Sequence, residues 1–312
     1  MAYQNTRGCC KKCAGGIEKA QMIVTCIGKL NIDFNYSTTK IEIGKNHISN
    51  NVEISLGGKG TNIAVALRKL GVQTQLIANI GDDELGTRAI SQIQSFGVIP
   101  LINVKPGTRT GFTFIVVESD GKNTMFNYPG ANAMLCVEDI ALHEKTLKNS
   151  DIIFYQTGAG ESDEIISYLK TLGKPIFLEL CEYVAPKILD GVDFASLNEE
   201  EALRITETKN TFEAISILLD FGIKNIFMKL GAKGSIHACQ EKITYGEPYM
   251  IDVVDTTGAG DAFSAGCIYG ILNNFSVENI LSFANRCGAL TCTKKGTTRA
   301  FPTIEEVQKF KY

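Results

Sequence analysis

From residue 152 onward, short apolar runs alternate with helical stretches. Residues 152–156, 176–180, 194–197 and 226–230 read as strands, and 163–172, 199–205 and 211–221 read as helices between them. Strands joined through helices of that length run parallel, and the helices cover both faces of the sheet they form. All the strand carboxyl ends then lie along one edge. The earlier chain continues the pattern, with strands at 75–80 and 99–104 around a helix at 84–96. The β-rich run 22–27, ending at Gly28, suits the first, central strand. The fold class is α/β.

At 312 residues and 34.0 kDa the chain is long enough to bury a sizeable core. A formal charge of −3 leaves no basic footprint, so nucleic acid is not an expected partner. No apolar run reaches the length that spans a bilayer, and residues 1–20 lack the apolar core of a secretory signal. No membrane partner and a cytoplasmic location are expected. Residues 1–20 read as a flexible tail ahead of one domain at 21–312. Cys26, Cys136, Cys181, Cys239, Cys267, Cys287 and Cys292 are scattered through apolar segments and read as reduced core thiols. Cys9, Cys10 and Cys13 supply at most half a zinc site. His47, His143 and His237 leave little for a histidine-based metal site or a triad.

Two glycine stretches carry the chemistry. Val253 and Val254 run into Asp255-Thr256-Thr257-Gly258-Ala259-Gly260-Asp261, followed by small and apolar residues that suit a buried helix. Glycines there turn backbone N–H groups outward at a helix N-terminus, which favours an anion. A carboxylate such as Asp261 repels a phosphate, so its natural task is to accept a proton from a hydroxyl that attacks phosphorus. The other stretch, Gly57-Gly58-Lys59-Gly60-Thr61-Asn62, opens a helix expected at 63–70. It fits neither the P-loop pattern nor GxGxxG, which also argues against a dehydrogenase.

Several polar positions admit two readings. Asn31 and Asp33, just after the first strand, either hold ligand hydroxyls or stabilise a turn. Asn198 and Glu201 either cap a helix or hold Mg2+ through waters. Lys229 leads a further glycine loop through Gly231 and Gly234, and a helix at 277–293 ends at Lys294-Lys295-Gly296. Alternation at 39–43 and 52–56, and a hairpin at 111–132 around Asp120-Gly121, predict a small projecting lid sheet with strands from about 36–56 and 111–128.

GGKGTN at residue 57 joined to GAGD at residue 258 resembles the ribokinase-like (PfkB) carbohydrate kinase family. Asn31 with Asp33, the Gly81-Asp82-Asp83 turn, Gly130-Ala131-Asn132, Asn198 with Glu201 and the KKG at 294 fall in the family's order. The resemblance implies a three-layer α/β sandwich with a mostly parallel central sheet and a β-sheet lid, binding a sugar and Mg-ATP. It makes Asp261 the catalytic base and the amides of Gly258, Ala259 and Gly260 the anion hole. It assigns Asn31, Asp33, Gly58, Lys59 and Asn62 to the sugar, and Asn198, Glu201, Lys229, Gly231, Gly234 and Asn285 to Mg2+ and nucleotide. Asp255 and Thr257, with backbone near Gly296, match positions that hold K+. The implied reaction moves the γ-phosphoryl of Mg-ATP to a sugar hydroxyl, with O5 of ribose leading. Fructose, adenosine and a non-catalytic sugar-binding protein are the alternatives. Three positions depart from the pattern: Gly158 replaces a ribose-contacting glutamate, Glu179-Leu180-Cys181 replaces an Asn-Pro stretch, and Lys229 replaces a threonine, bringing a charge that could touch a phosphate. Apolar lid faces could pair two copies into a homodimer.

Overall fold

The computed structural model describes residues 22–49, 51–120 and 122–310. The expected tail with Cys9, Cys10 and Cys13 lies outside them. In chain order the strands are β1 (Ile23–Ile27), β2 (Asn31–Thr38), β3 (Val52–Gly57), β4 (Gln73–Gly81), β5 (Ile99–Lys105), β6 (Gly111–Glu118) and β7 (Asn123–Tyr128). They continue with β8 (Ile152–Gln156), β9 (Ile176–Glu179), β10 (Phe194–Asn198), β11 (Ile226–Lys229), β12 (Ser235–Ala238) and β13 (Ile243–Gly246).

Nine strands form one sheet in the order β13-β12-β11-β10-β9-β8-β1-β4-β5, parallel except for the antiparallel β11-β12-β13 edge. Alternation within β1 shows why it lies inside the sheet. Val24 and Cys26 enter one apolar core with Ile63, Leu67, Phe263 and Ala284, while Ile27 enters the other with Ile153, Tyr155 and Leu169. Chain order reverses at β1, between β8 and β4, and ligand crevices form outside the carboxyl ends at such a point.

The predicted buried helix is Ala259–Leu272, and it packs on both the sheet and the helix Val277–Cys292. A Cβ on Gly266 would lie 2.7 Å from the Ala284 Cα, so the close approach requires glycine. Among the described residues, no helix is long and apolar enough to cross a membrane. Their seven cysteines are all free, but only Cys26, Cys267 and Cys287 are fully buried; the other four are half-buried rather than core.

A separate four-stranded sheet, β3-β2-β6-β7, is the predicted lid. Its boundaries correct the sequence reading in two places. The alternating residues 39–43 are not a strand: β2 covers 31–38, its pairing with β3 ends at Tyr36 and Val52, and residues 39–49 lie in the connection. Alternation without a hydrogen-bonding neighbour does not make a strand, and Ile43 stands fully exposed. Asn31 and Asp33 are likewise not in a turn after β1; they begin β2 and face its partners. The first glycine-loop helix starts at Lys59 rather than 63, with Gly58 as its N-cap at φ 87.

Candidate active site

Four consecutive parallel strands end in polar side chains, Gln156, Glu179, Asn198 and Lys229, on the crevice edge. Gln156 Oε1 accepts from Lys29 N (3.0 Å) and Gly60 N (2.9 Å), fastening the glycine loop to β1. A Cβ on Gly58 would meet the Lys29 carbonyl oxygen at 2.3 Å, which explains the glycine beside its positive φ.

The lid supplies one wall. Asn31 Nδ2 donates to Thr113 Oγ1 (3.2 Å), and its Oδ1 accepts from Asn132 Nδ2 (2.8 Å). Asn132 Oδ1 in turn accepts from Leu30 N (2.8 Å). Asp33 lies against Gly57, where a built Cβ would fall 2.0 Å from its Oδ2, and its Oδ1 is buried without a partner. Burial pushes the Asp33 carboxyl up to about 6, with the charge of Asp261 adding to the effect.

The body supplies the facing wall. Asn62 Nδ2 donates to Asp261 Oδ2 at 2.7 Å, and Asn62 Oδ1 has no partner although buried. Asp261 is 7 % exposed. Burial raises its carboxyl to about 6; Lys59 opposes the rise, Glu179 adds to it, and the Asn62 hydrogen bond opposes it. Around the turn, Ala259 N–H donates to the Thr256 carbonyl at 3.2 Å, so in this conformation it is engaged. The N–H groups of Gly258, Gly260 and Asp261 meet no acceptor among the described residues, and they stand at the start of a 14-residue helix where an anion is favoured.

The two lysines converge on a residue that sequence reasoning treated only as a departure. Glu179, 0 % exposed, takes Lys229 Nζ and Lys59 Nζ (3.5 Å) on Oε1, and accepts from Ser264 Oγ (2.7 Å) on Oε2. Burial alone would raise the Glu179 carboxyl, but the ammoniums of Lys229 and Lys59 hold it below the ordinary carboxylate range. Lys229, expected to reach a phosphate directly, is thus ion-paired in this conformation. The signal that could have found Glu179 is its position: an acid closing an apolar strand at the crevice edge. Gln156, which closes β8, could have been found the same way, whereas Asn132 and Gly57 stood in the quoted motifs without a role.

Asn198 and Glu201 form a reciprocal capping box. Asn198 Oδ1 accepts from Glu201 N (2.7 Å), and Glu201 Oε2 accepts from Asn198 N (2.8 Å). Glu201 Oε1 also meets Lys59 Nζ at 3.2 Å. The capping reading therefore holds, and since both side chains are tied, the pair suits magnesium only through the ion's water shell. The positive φ of Gly231 and Gly234 shapes the loop after β11, and a Cβ on Gly234 would strike the Gly246 carbonyl oxygen at 2.1 Å. Asn285 Nδ2 donates to the Glu247 carbonyl (2.9 Å), so the residues expected on the nucleotide side gather at the β12-β13 hairpin. Asp255 accepts from Thr257 N (2.9 Å) on one oxygen and Gly296 N (2.9 Å) on the other, tying three predicted cation-site residues together. Each oxygen has accepted one backbone hydrogen bond, which leaves the carboxylate able to ligate a cation. No cluster of three acidic, histidine or cysteine groups suited to a metal occurs among the described residues.

A family model described as pfkB family carbohydrate kinase matches residues 22–304. The chain is 27 % identical over 298 residues to a ribokinase from Haemophilus influenzae, covering 92 % of this chain and 97 % of that one. It is also 27 % identical to a probable fructokinase-4 from Arabidopsis thaliana, covering 81 % and 86 %. The solved Arabidopsis thaliana ribokinase complexed with ribose and ATP superposes with a TM-score of 0.80 at 26 % identity, covering 94 % of this chain and 100 % of that one.

Proposed function

The chain belongs to the pfkB family of carbohydrate kinases, phosphotransferases with an alcohol acceptor, and on that premise we propose that it transfers the γ-phosphoryl of Mg-ATP to O5 of ribose. The observation that carries a polyhydroxylated acceptor is the pair of buried oxygens without partners, Asp33 Oδ1 and Asn62 Oδ1, on facing walls beside Asp261. A buried acceptor left unmatched is costly, and both of these call for O–H donors. Adjacent hydroxyls of a sugar supply them. The absence of aromatic side chains from these contacts favours a sugar over a nucleoside, whose base would stack.

The chemistry follows from the same residues. ATP, when bound, supplies the phosphoryl group. Asp261, with its carboxyl near 6, is ionised at neutral pH and takes the proton as the acceptor hydroxyl attacks. Asn62 holds the carboxylate in place, and the free amides of Gly258 and Gly260 offer donors to the growing negative charge. Asn198 and Glu201 would steady the water shell of Mg2+, and Asp255 would hold K+, which when bound would add positive charge beside the turn.

Ribose is favoured over fructose by Asn31 and Asp33 and by the KKG at 294. Gly158 lacks the glutamate side chain of the family pattern, but a neighbouring carboxylate stands there: Glu182 Oε2 is 3.0 Å from a Cβ built on Gly158, and Ser162 Oγ donates to Glu182 Oε1 at 2.8 Å. A homodimer through the lid is supported by Phe114, Phe126 and Tyr128, all 41–58 % exposed on one face of β6 and β7. A cytoplasmic location accords with the free thiols. The deciding experiment measures ADP release over a panel of pentoses, hexoses and nucleosides. Ribose should have the highest kcat/KM, and a hexose or nucleoside outranking every pentose sinks the assignment.

A further inference from the structure

Glu179 joins the two halves of the site. Lys59 comes from the helix behind the first glycine loop, Lys229 from the end of β11, and Ser264 from the helix that carries Asp261; all three meet its carboxylate. Ser196 Oγ backs Ser264 Oγ at 2.8 Å. Well-packed apolar residues commonly serve a fold as well as a buried ion pair does, so folding alone gives no reason for two ammoniums on one buried oxygen. The stem of Lys229 crosses the glycine turn, with Cδ 3.5 Å and Nζ 3.9 Å from a Cβ built on Gly260, beside the free amides. Glu201, Asp261 and Cys181 also face Lys59, while Asp261 and Cys267 lie within electrostatic range of Lys229.

We propose that Glu179 is a positioning residue for phosphoryl transfer, holding Lys59 and Lys229 side by side so that their charges flank the phosphoryl group as it passes to the acceptor oxygen. Without a carboxylate between them the ammoniums repel and turn toward solvent. The proposal rests on the kinase reading. It assigns linked roles to two departures from the family pattern, Glu179 and Lys229, which are in contact.

The test is Glu179→Gln, which keeps the shape and an acceptor for Ser264. Its kcat should fall about 100-fold, with KM for sugar and ATP within about threefold, because the paired charges act on the group in transit. Lys229, quantified by mass spectrometry after brief acetic anhydride treatment, should be acetylated several-fold faster in the variant. A kcat within twofold, unchanged acetylation of Lys229, or a parallel loss of kcat, both KM values and melting temperature overturns the proposal. Should Glu179→Gln not fold, Lys59→Met, Lys229→Met and their combination decide. Two charges on one group predict a double variant less impaired than the product of the singles, and multiplicative losses overturn the clamp. If the unaltered protein phosphorylates no sugar, the kinase assignment falls, while the acetylation rates still decide whether Glu179 holds Lys229.

Discussion

The side-chain amide of Asn62 donates to the carboxylate of Asp261 at 2.7 Å, across 199 residues of chain. Each residue sits in the first turn or so of a helix that follows a glycine stretch, so the contact is where the two stretches become one site. It also leaves Asn62 Oδ1 facing away from Asp261 without a partner, next to the carboxylate expected to accept a proton.

Turnover should depend on Asp261 in its charged form. Asp261→Asn is expected to lower kcat by about 10²–10⁴ while ATP still binds. In the unaltered protein kcat/KM should rise with pH through about 6, the value to which burial lifts this carboxyl. ADP release measured from pH 5 to 8.5 checks both, and near-normal turnover by the variant refutes the mechanism.

Stability should run the other way. The folded-state values of Asp261 and Asp33 lie near 6, above those of the unfolded chain. Between about pH 4 and 6 the folded state binds more protons, so the contribution of these groups is fully present below about 4 and is lost as pH rises through 6. Asp261→Asn should therefore raise the melting temperature at pH 7.5, by an amount on the order of 3 kcal/mol in stability, and raise it only about a third as much at pH 4.5. An equal shift at both pH values counts against buried ionisation.

Gly57→Ala should raise KM for the sugar at least about tenfold with a smaller effect on kcat. The backbone at Gly57 tolerates alanine, but the added methyl would lie 2.0 Å from Asp33 Oδ2 and must displace that carboxylate. Unchanged sugar affinity removes Asp33 from the acceptor site.

Potassium should support faster turnover than sodium at equal ionic strength. Asp255 ties Thr257 and Gly296 together beside the anion turn, and Asp255→Ala should abolish the difference between the salts. Equal rates in KCl and NaCl for the unaltered protein end the case for a cation there.

The lid face should pair two copies. Phe34 and Phe114 stack at 4.9 Å, and Phe126 beside them is 58 % exposed. Light scattering should give the mass of a dimer, and Phe126→Glu should give a monomer. A monomeric unaltered protein rules the interface out.

Most of the framework was legible because its causes are local. The apolar runs that became β8 to β11, the Asp-Gly hairpin between β6 and β7, and the helix starts after Asn198 and Gly258 follow from side-chain periodicity, turn chemistry and capping. Residues 39–43 misled for the complementary reason, since a strand is completed by neighbours that periodicity does not reveal. The antiparallel β12-β13 edge went unread because its strands, Ser-Ile-His-Ala and Ile-Thr-Tyr-Gly, lack the continuous apolar run that marked the equally short β9 and β11.

By itself the sequence determined the α/β alternation, the two glycine turns and the kinase family, because each depends on residues close together in the chain or on a motif carried whole. Only the tertiary structure decided the partners: Asn62 with Asp261, Asp33 against Gly57, and Glu179 between Lys59 and Lys229. Those contacts join residues 24 to 199 positions apart. Sheet order and the packing of the helices bring them together, and the same burial that completes the contacts lifts the Asp261 and Asp33 carboxyls while the two ammoniums keep Glu179 charged.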